Sequence, residues 1–342
     1  MARLCLYGTV LNSADTIERS LRSVFRPDAE IVVVDGGSTD GTYERLLEIS
    51  RDYNLRVYRL PGSSRGLGRD YALRRCPEGS YAAHFDLDDE YNEYFHRGID
   101  WGMAQGVPDP LHYLTLREYA IARGGWRDLN YGEDYEFNAR VGFSYYVPLP
   151  SRRPIERTRA ARERRYAGGL LGYMARALRA GVDDYRGVGY TLAERLRAEL
   201  ARAGARFALT APLVLAESIV ANARGKYRLA GALTNVELVD LLSAIRAVEP
   251  RELGVPNGMA SISVIWSLVL KVDLGPLAAM ASGRAGAELR PYRCTNGRYV
   301  LAASEEALKL RASSFALAGV RCERLAPQYN RLTPREKTGD PT

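Results

Sequence analysis

The chain has 342 residues, 46% of them hydrophobic and 26% charged, with a formal net charge of +7. This composition excludes a disordered, collagenous or disulfide-dense secreted protein, and the length implies about two domains. Four cysteines (Cys5, Cys76, Cys294 and Cys322) are too few for a stapled secreted framework.

The first residues do not read as a secretory signal, because Gly8 and Thr9 interrupt the short apolar run and Asp15 and Glu18 follow closely. Arg3–Val10 reads as a strand and the stretch from Asn12 to Phe25 as a helix. Glu30–Asp35 is a buried strand by its β-branching, and Gly36–Gly41 a loop before a helix over Thr42–Asp52. A strand at Leu55–Leu60, a helix at Leu67–Arg75 and a strand at Tyr81–Asp86 follow, then a helix at Tyr94–Gln105 and a strand near Leu111–Arg117. Strands separated by helix-length segments predict parallel crossovers in an α/β sheet. Composition shifts after Pro148 and Pro150, which predicts a domain over 1–150 and a helix-rich region over 151–342. Leu192–Ala203 reads as a helix, Glu288–Arg293 and Arg298–Ala302 as strands, and Ser304–Phe315 as a helix. The uncharged run Leu253–Leu270 is broken by the turn Val255–Gly258. Its remainder, Met259–Leu270, reads as a core helix of about 18 Å, too short to span a bilayer.

Four segments carry chemistry. Asp86-Leu87-Asp88-Asp89 ends a strand, and a period of two places Asp86 and Asp88 on one face. Two carboxylates there repel unless a cation separates them, and hard oxygen ligands suit Mg²⁺ or Mn²⁺; the bland reading is a solvated acidic turn. Asp35 ends a buried strand before Gly36, Gly37 and Ser38, where a carboxylate can accept from a base or ribose and glycines let the backbone approach a ligand. It is equally an ordinary strand-to-helix connection. Gly66, Arg65 and Arg69 sit at a helix start, where free N–H groups favour anions. Glu133-Asp134 opens a helix after a glycine-rich loop and offers either a general base or simple helix capping. Trp126 and Tyr131 beside it supply an apolar wall on the acceptor side.

In this order the segments resemble the inverting glycosyltransferases of family 2, with the GT-A fold, over roughly residues 3–148. Ile31–Gly41 is similar to that family's V-V-D-D-G-S-x-D-G-T stretch, with Gly36 in place of the second Asp. Gly66–Asp70 resembles G-x-x-x-A-R-N, with Gly68 for Ala and Asp70 for Asn. Asp86–Asp89 matches D-x-D-D, and Gly124–Arg140 matches the G-G-F…E-D…R block with Trp126 for Phe. The resemblance implies a mostly parallel nucleotide-diphospho-sugar transferase-like sheet with helices on both faces, followed by a mainly helical C-terminal region. It implies that Thr9, Asn12, Asp35, Gly37, Ser38, Gly66, Arg69, Asp86 and Leu87 bind a nucleotide-diphosphate sugar, and that Asp86 and Asp88 hold Mn²⁺ or Mg²⁺. Asp134 would be the base, with Glu133 as fallback. The Q-x-x-R-W motif of processive synthases is absent, which implies single transfer.

No lysine occurs before Lys226. This counts against a sugar-phosphate nucleotidylyltransferase, which needs a lysine for phosphates. The Arg-rich, Lys-poor bias fits an archaeal or thermophile source, or simply genome composition. Segment 151–180 holds the positive excess. Arg152, Arg153, Arg157, Arg159, Arg162, Arg164 and Arg165 in it could neutralise nucleic-acid phosphates, although no recognition motif accompanies them. With Tyr166, Leu170, Leu171, Tyr173 and Met174 they could equally form a basic amphipathic helix on an anionic membrane. That placement implies a cytoplasmic protein peripheral to the membrane face, with a lipid-linked acceptor. A catalytically inactive scaffold is a further alternative. Cys5 and Cys76 read as small buried hydrophobes, Cys294 and Cys322 could pair, and His96 could reach the metal.

Overall fold

In a computed structural model, the described residues are 3–161, 169–203, 207–227, 245–264, 282–283, 286–295, 299–313 and 320–324. The fold is mixed α/β around a mostly parallel sheet. Its first part runs β1 (Leu4–Val10), α1 (Ile17–Val24), β2 (Ala29–Asp35), α2 (Thr42–Ile49), β3 (Leu55–Arg59), α3 (Arg65–Arg75) and β4 (Tyr81–His84). It continues with β5 (Asp89–Tyr91), α4 (Glu93–Ala104), β6 (Leu114–Leu116), α5 (Arg117–Ala122), α6 (Glu133–Val141) and β7 (Tyr145–Tyr146). Sheet order is β3-β2-β1-β4-β6. All neighbours are parallel except β4 and β6, which pair antiparallel.

The strand alternation explains the two helical layers. Leu4, Leu6, Ile31, Val33 and Ala83 point to one face and pack with Ile17, Leu21, Leu46, Phe95 and Ile99 of α1, α2 and α4. Cys5, Tyr7, Val32, Val34 and Ala82 point to the other and meet Ala72, Leu73, Ala120, Phe137 and Val141 of α3, α5 and α6. Both faces being covered, the central strands are apolar throughout rather than alternating.

Beyond the sheet come β8 (Arg152–Pro154), α7 (Gly169–Asp183), α8 (Leu192–Ala203) and α9 (Phe207–Arg224). Then follow β9 (Arg246–Ala247), β10 (Ser261–Val264), β11 (Arg290–Cys294), β12 (Tyr299–Ala302), α10 (Glu305–Ser313) and β13 (Cys322–Arg324). The expected mainly helical character therefore stops short. Strands β10, β12, β11 and β13 form an antiparallel sheet. Of the core helix expected over Met259–Leu270, Met259 ends a short 3-10 turn and Ser261–Val264 is a strand paired with β12; positions 265–270 lie outside the described residues. The later segment also returns to the first core, where Val248, Leu253 and Val255 join the cluster of α1, α2 and α4.

Cys5 and Cys76 are bonded to each other, not free hydrophobes, and Cys294 is bonded to Cys322. Sequence spacing hid the first pair, because the crossover through β2 and β3 brings the end of α3 back beside β1.

Candidate functional site

A cavity of about 380 Å³ opens where the carboxyl ends of β1 and β2 meet the start of α3 and the turn after β4. Its wall includes Thr9, Asn12, Ser13, Gly36, Ser63, Ser64, Arg65, Asn130 and Asp86 through Asp89. Thr9, Asn12, Asp86, Leu87 and Asp88 were expected there. Asp89 belongs to the same acidic motif and Ser64 to the helix start, whereas Ser13 and Asn130 were not expected, since a single serine or asparagine carries no periodic signal.

The residues expected on the nucleotide side are fixed by the backbone. Asp35 is fully buried, and its Oδ1 accepts from Gly37 N and Ser38 N at 2.9 Å each. Its Oδ2 has no hydrogen-bond partner. A buried carboxylate oxygen left so is costly unless a ligand supplies the donor. Asn12 has a positive φ of 50° and binds the same loop twice. Its N–H donates to Ser38 Oγ at 2.8 Å and its Oδ1 accepts from Thr39 N at 2.9 Å. Thr9 Oγ1 donates to Val34 O at 3.0 Å.

Helix α3 starts at the cavity. Ser64 caps it by accepting from Leu67 N at 3.2 Å. The glycines of α3 serve packing. A Cβ on Gly66 would lie 1.8 Å from Arg127 O, and one on Gly68 would lie 2.2 Å from Thr9 Oγ1. That second contact explains Gly68 where the resemblance has Ala. Gly66, expected to bind nucleotide, is instead the point where α3 meets the loop before α6, and its N–H donates to Leu129 O at 2.9 Å.

Strand β4 ends at His84, so Asp86–Asp88 form a turn rather than the expected strand face. Arg69, 3% exposed, reaches Asp86 with one nitrogen and Glu133 Oε1 with the other at 2.9 Å. Arg152 takes the second oxygen of Asp86 and lies 2.9 Å from Asp89 Oδ2. Burial opposes the charge of Asp86, but Arg69, Arg152 and Arg65 overcome it and hold its carboxyl far below the usual range. Burial pushes Asp89 up to about 7, helped by Asp86 and Asp88 and opposed by Arg152. Arg157, 11% exposed, lies 3.2 Å from both Asp15 Oδ1 and Asp88 Oδ2.

These contacts test the expected cation site. Asp86 does not fit as a ligand, because arginines occupy both of its oxygens. Asp88 does fit: it is 40% exposed and lines the cavity. Among the described residues no three His, Cys, Asp or Glu side chains group to hold a metal. A single carboxylate still suits Mg²⁺ or Mn²⁺, which keep waters and draw other ligands from phosphates. His96 is not part of this site; it contacts Ser23 O at 2.9 Å and lines a separate groove with Phe25 and Asp100.

At the start of α6, Glu133 is buried and its Oε1 also accepts from Arg65 at 3.2 Å. Burial raises its pKa against the pull of Arg69 and Arg65. Asp134 is exposed, with Oδ1 accepting from Tyr135 N at 2.9 Å. Tyr131 is exposed nearby. Trp126 is not the open acceptor wall expected of it. It is 3% exposed, stacks on Phe137 at 4.0 Å and donates from Nε1 to Tyr7 Oη at 3.0 Å. Its large apolar ring is core, and its one polar atom is satisfied there.

The basic segment also differs from expectation. Arg152 and Arg153 lie in β8, paired antiparallel with β5, and Arg153 contacts Glu90. Arg157 follows in a strap across Asp15 and Asp88. These arginines face the chain's own carboxylates. Arg162, Arg164, Arg165 and Tyr166 lie outside the described residues.

Residues 9–97 match the family model described as Glycosyl transferase family 2. No curated protein matches the chain. Among solved structures, S. aureus TarS is 19% identical over 41% of this chain and 33% of its own, with a TM-score of 0.35. This chain thus spans about a third of that protein's length. TarS 1–349 in complex with UDP-GlcNAc is 14% identical, covering 66% of this chain and 93% of that one, with a TM-score of 0.40. A mannosyltransferase from Pyrobaculum calidifontis, PcManGT, in complex with GDP-Man and Mn²⁺, is 18% identical over 66% of this chain and 76% of its own, with a TM-score of 0.35.

Proposed function

We propose that this chain, whose residues 9–97 match the Glycosyl transferase family 2 model, is a glycosyltransferase that moves one sugar from a nucleotide-diphosphate donor to an acceptor hydroxyl with inversion. The observation that carries the donor reading is the convergence at one cavity of the Asp35 loop, the α3 N-terminus and the acidic turn. The unpartnered Oδ2 of Asp35 suits a base N–H or a ribose hydroxyl. The start of α3 offers its positive dipole end to the diphosphate, its first N–H groups being already held by Asn130, Leu129 and Ser64.

Charge supports dependence on Mn²⁺ or Mg²⁺. Arg65, Arg69, Arg152 and Arg157 are each already paired with one or more of Glu133, Asp86, Asp89, Asp88 and Asp15. Four guanidinium groups against five carboxylates leave no cationic surplus for an incoming diphosphate. A divalent ion at Asp88 would supply it, neutralising charge on the leaving nucleoside diphosphate. Asp134 takes the proton of the acceptor hydroxyl as that oxygen attacks the anomeric carbon from the face opposite the leaving group. Glu133 keeps Arg65 and Arg69 in place behind it.

An acceptor carried on a lipid suits the exposed apolar side chains of the helical region, Leu171, Leu209 and Ile219. No helix among the described residues is long and apolar enough to cross a membrane, so such an acceptor would be met at a membrane surface. A thermal-shift panel of UDP-, GDP- and dTDP-sugars with Mn²⁺ or Mg²⁺ tests the donor reading. A ligand at 100 times its Kd should stabilise by about 2.7 kcal/mol. No shift with any of the three would refute it, and the product anomer, read by NMR, tests inversion.

A further inference from the structure

Arg157 is placed where it competes with a cation for Asp88. One guanidinium joins three parts of the site. Its Nη1 donates to Asn12 O at 3.1 Å and Asp15 Oδ1 at 3.2 Å, and its Nη2 donates to Ser13 Oγ at 2.8 Å and Asp88 Oδ2 at 3.2 Å. Asn12, Ser13 and Asp88 all line the cavity, so the guanidinium sits at its rim.

The strap that carries Arg157 is pinned on both sides of it. Ile155 N donates to the backbone oxygen of Asp88 at 2.8 Å, and Thr158 N donates to Asp15 Oδ2 at 3.1 Å. Losing the contact to the Asp88 carboxylate therefore leaves the backbone in place and frees only the end of the side chain. Asp15 keeps that end near the rim. A divalent cation and a guanidinium on the same carboxylate oxygen repel each other, so only one can hold it. A diphosphate beside the α3 N-terminus is the acceptor of the right charge and planar spacing for the released fork.

We propose that Arg157 is a latch on the cation site: it holds Asp88 in the absence of a divalent ion and passes to the donor diphosphate when the ion takes that carboxylate. The proposal rests on the glycosyltransferase reading for the diphosphate, but its cation half stands on the contacts of Arg157 alone. Removing Arg157 should then act in opposite directions on the two ligands, which a purely structural arginine would not do.

The test measures two equilibria on the full chain, by calorimetry or Mn²⁺ paramagnetic resonance. Mn²⁺ alone should bind Arg157→Gln several-fold more tightly than wild type, because the competing cation is gone. UDP or GDP in saturating Mn²⁺ should bind the same variant at least about tenfold more weakly, the size of one charge-assisted hydrogen bond. Arg157→Lys keeps the charge without the fork and should fall between the two on both scales. It decides alone if Arg157→Gln fails to fold by circular dichroism. Unchanged or weaker Mn²⁺ affinity in the folded variant overturns the latch. Wild type that takes up Mn²⁺ but neither UDP nor GDP overturns the donor half and the glycosyltransferase reading with it, while the Mn²⁺ comparison still judges the competition at Asp88.

Discussion

Arg69 and Glu133, 64 positions apart in the chain, form an ion pair at 2.9 Å with each side chain only 3% exposed. The pair ties the middle of α3 to the first residue of α6. Breaking a buried pair by removing one partner leaves a charge without compensation. Glu133→Gln should therefore lower stability by about 3 kcal/mol, read as a shift of the urea midpoint. Asp134→Asn, next to it but exposed, should leave that midpoint in place. Its transfer rate should fall by roughly 10²–10⁴, the usual cost of a lost general base. If transfer drops in Glu133→Gln while Asp134→Asn keeps full rate, the base belongs at Glu133.

Removal of the cation is expected to abolish donor binding. Asp88→Ala should lose most metal-stimulated transfer, since Asp88 is the one residue of the acidic turn whose carboxylate fits a cation. Full turnover in excess chelator would refute this.

Acid should weaken the fold through His112. Burial, with Arg152 adding, lowers its pKa to about 4, against about 6.5 in an unfolded chain. The unfolded state then binds more protons between those values, so stability is complete above pH 6.5 and is lost as pH falls toward 4. His112→Phe should flatten that part of the pH–stability curve while keeping the ring's contacts with Tyr113 and Phe143. A curve with the same slope in both proteins would refute the assignment.

The two disulfides should both resist thiol reagents in the folded protein, so that alkylation modifies no cysteine before reduction. Cys5–Cys76 spans 71 positions and Cys294–Cys322 spans 28. By chain-entropy reasoning each contributes about 4 kcal/mol, the longer loop slightly more. Replacing Cys5 and Cys76 by Ala should therefore lower Tm more than replacing the other pair.

Vesicle binding separates the apolar helical surface from the arginines. If Leu171, Leu209 and Ile219 meet a membrane, changing them to Gln should abolish co-sedimentation with anionic vesicles. Changing Arg152 and Arg153 should matter little, as both face Asp86, Asp89 and Glu90. Wild-type protein that stays in the supernatant at low salt would refute the membrane contact.

The central sheet was legible in the sequence because β-branched runs such as Ile31–Val34 have no other use than a strand covered on both sides. The start of α3 was legible because Ser64 and the glycines after it mark a helix end. Arg152 and Arg157 were not, since charge counted along a chain cannot tell an arginine in water from one folded onto an aspartate. The true place of Trp126 was hidden for a similar reason: a tryptophan in a glycine-rich loop suggests a ligand wall until its partner Phe137, on the next helix, is seen. Cys5 and Cys76 met through tertiary topology alone.

Helix α3 is fixed very unequally at its two ends. Its far end is bolted to β1 by the Cys76 bond, and Cys76 is itself the residue that closes the helix. Its near end, about 16 Å away at 1.5 Å per residue, is held without a covalent bond, by the Arg65–Glu133 ion pair and by hydrogen bonds and close packing against the Arg127–Asn130 loop. Mechanically it is a beam clamped covalently away from the cavity and by noncovalent contacts beside it. A reductant acting on the clamp would thus be felt at Arg65, at the opposite tip, with no reagent entering the cavity.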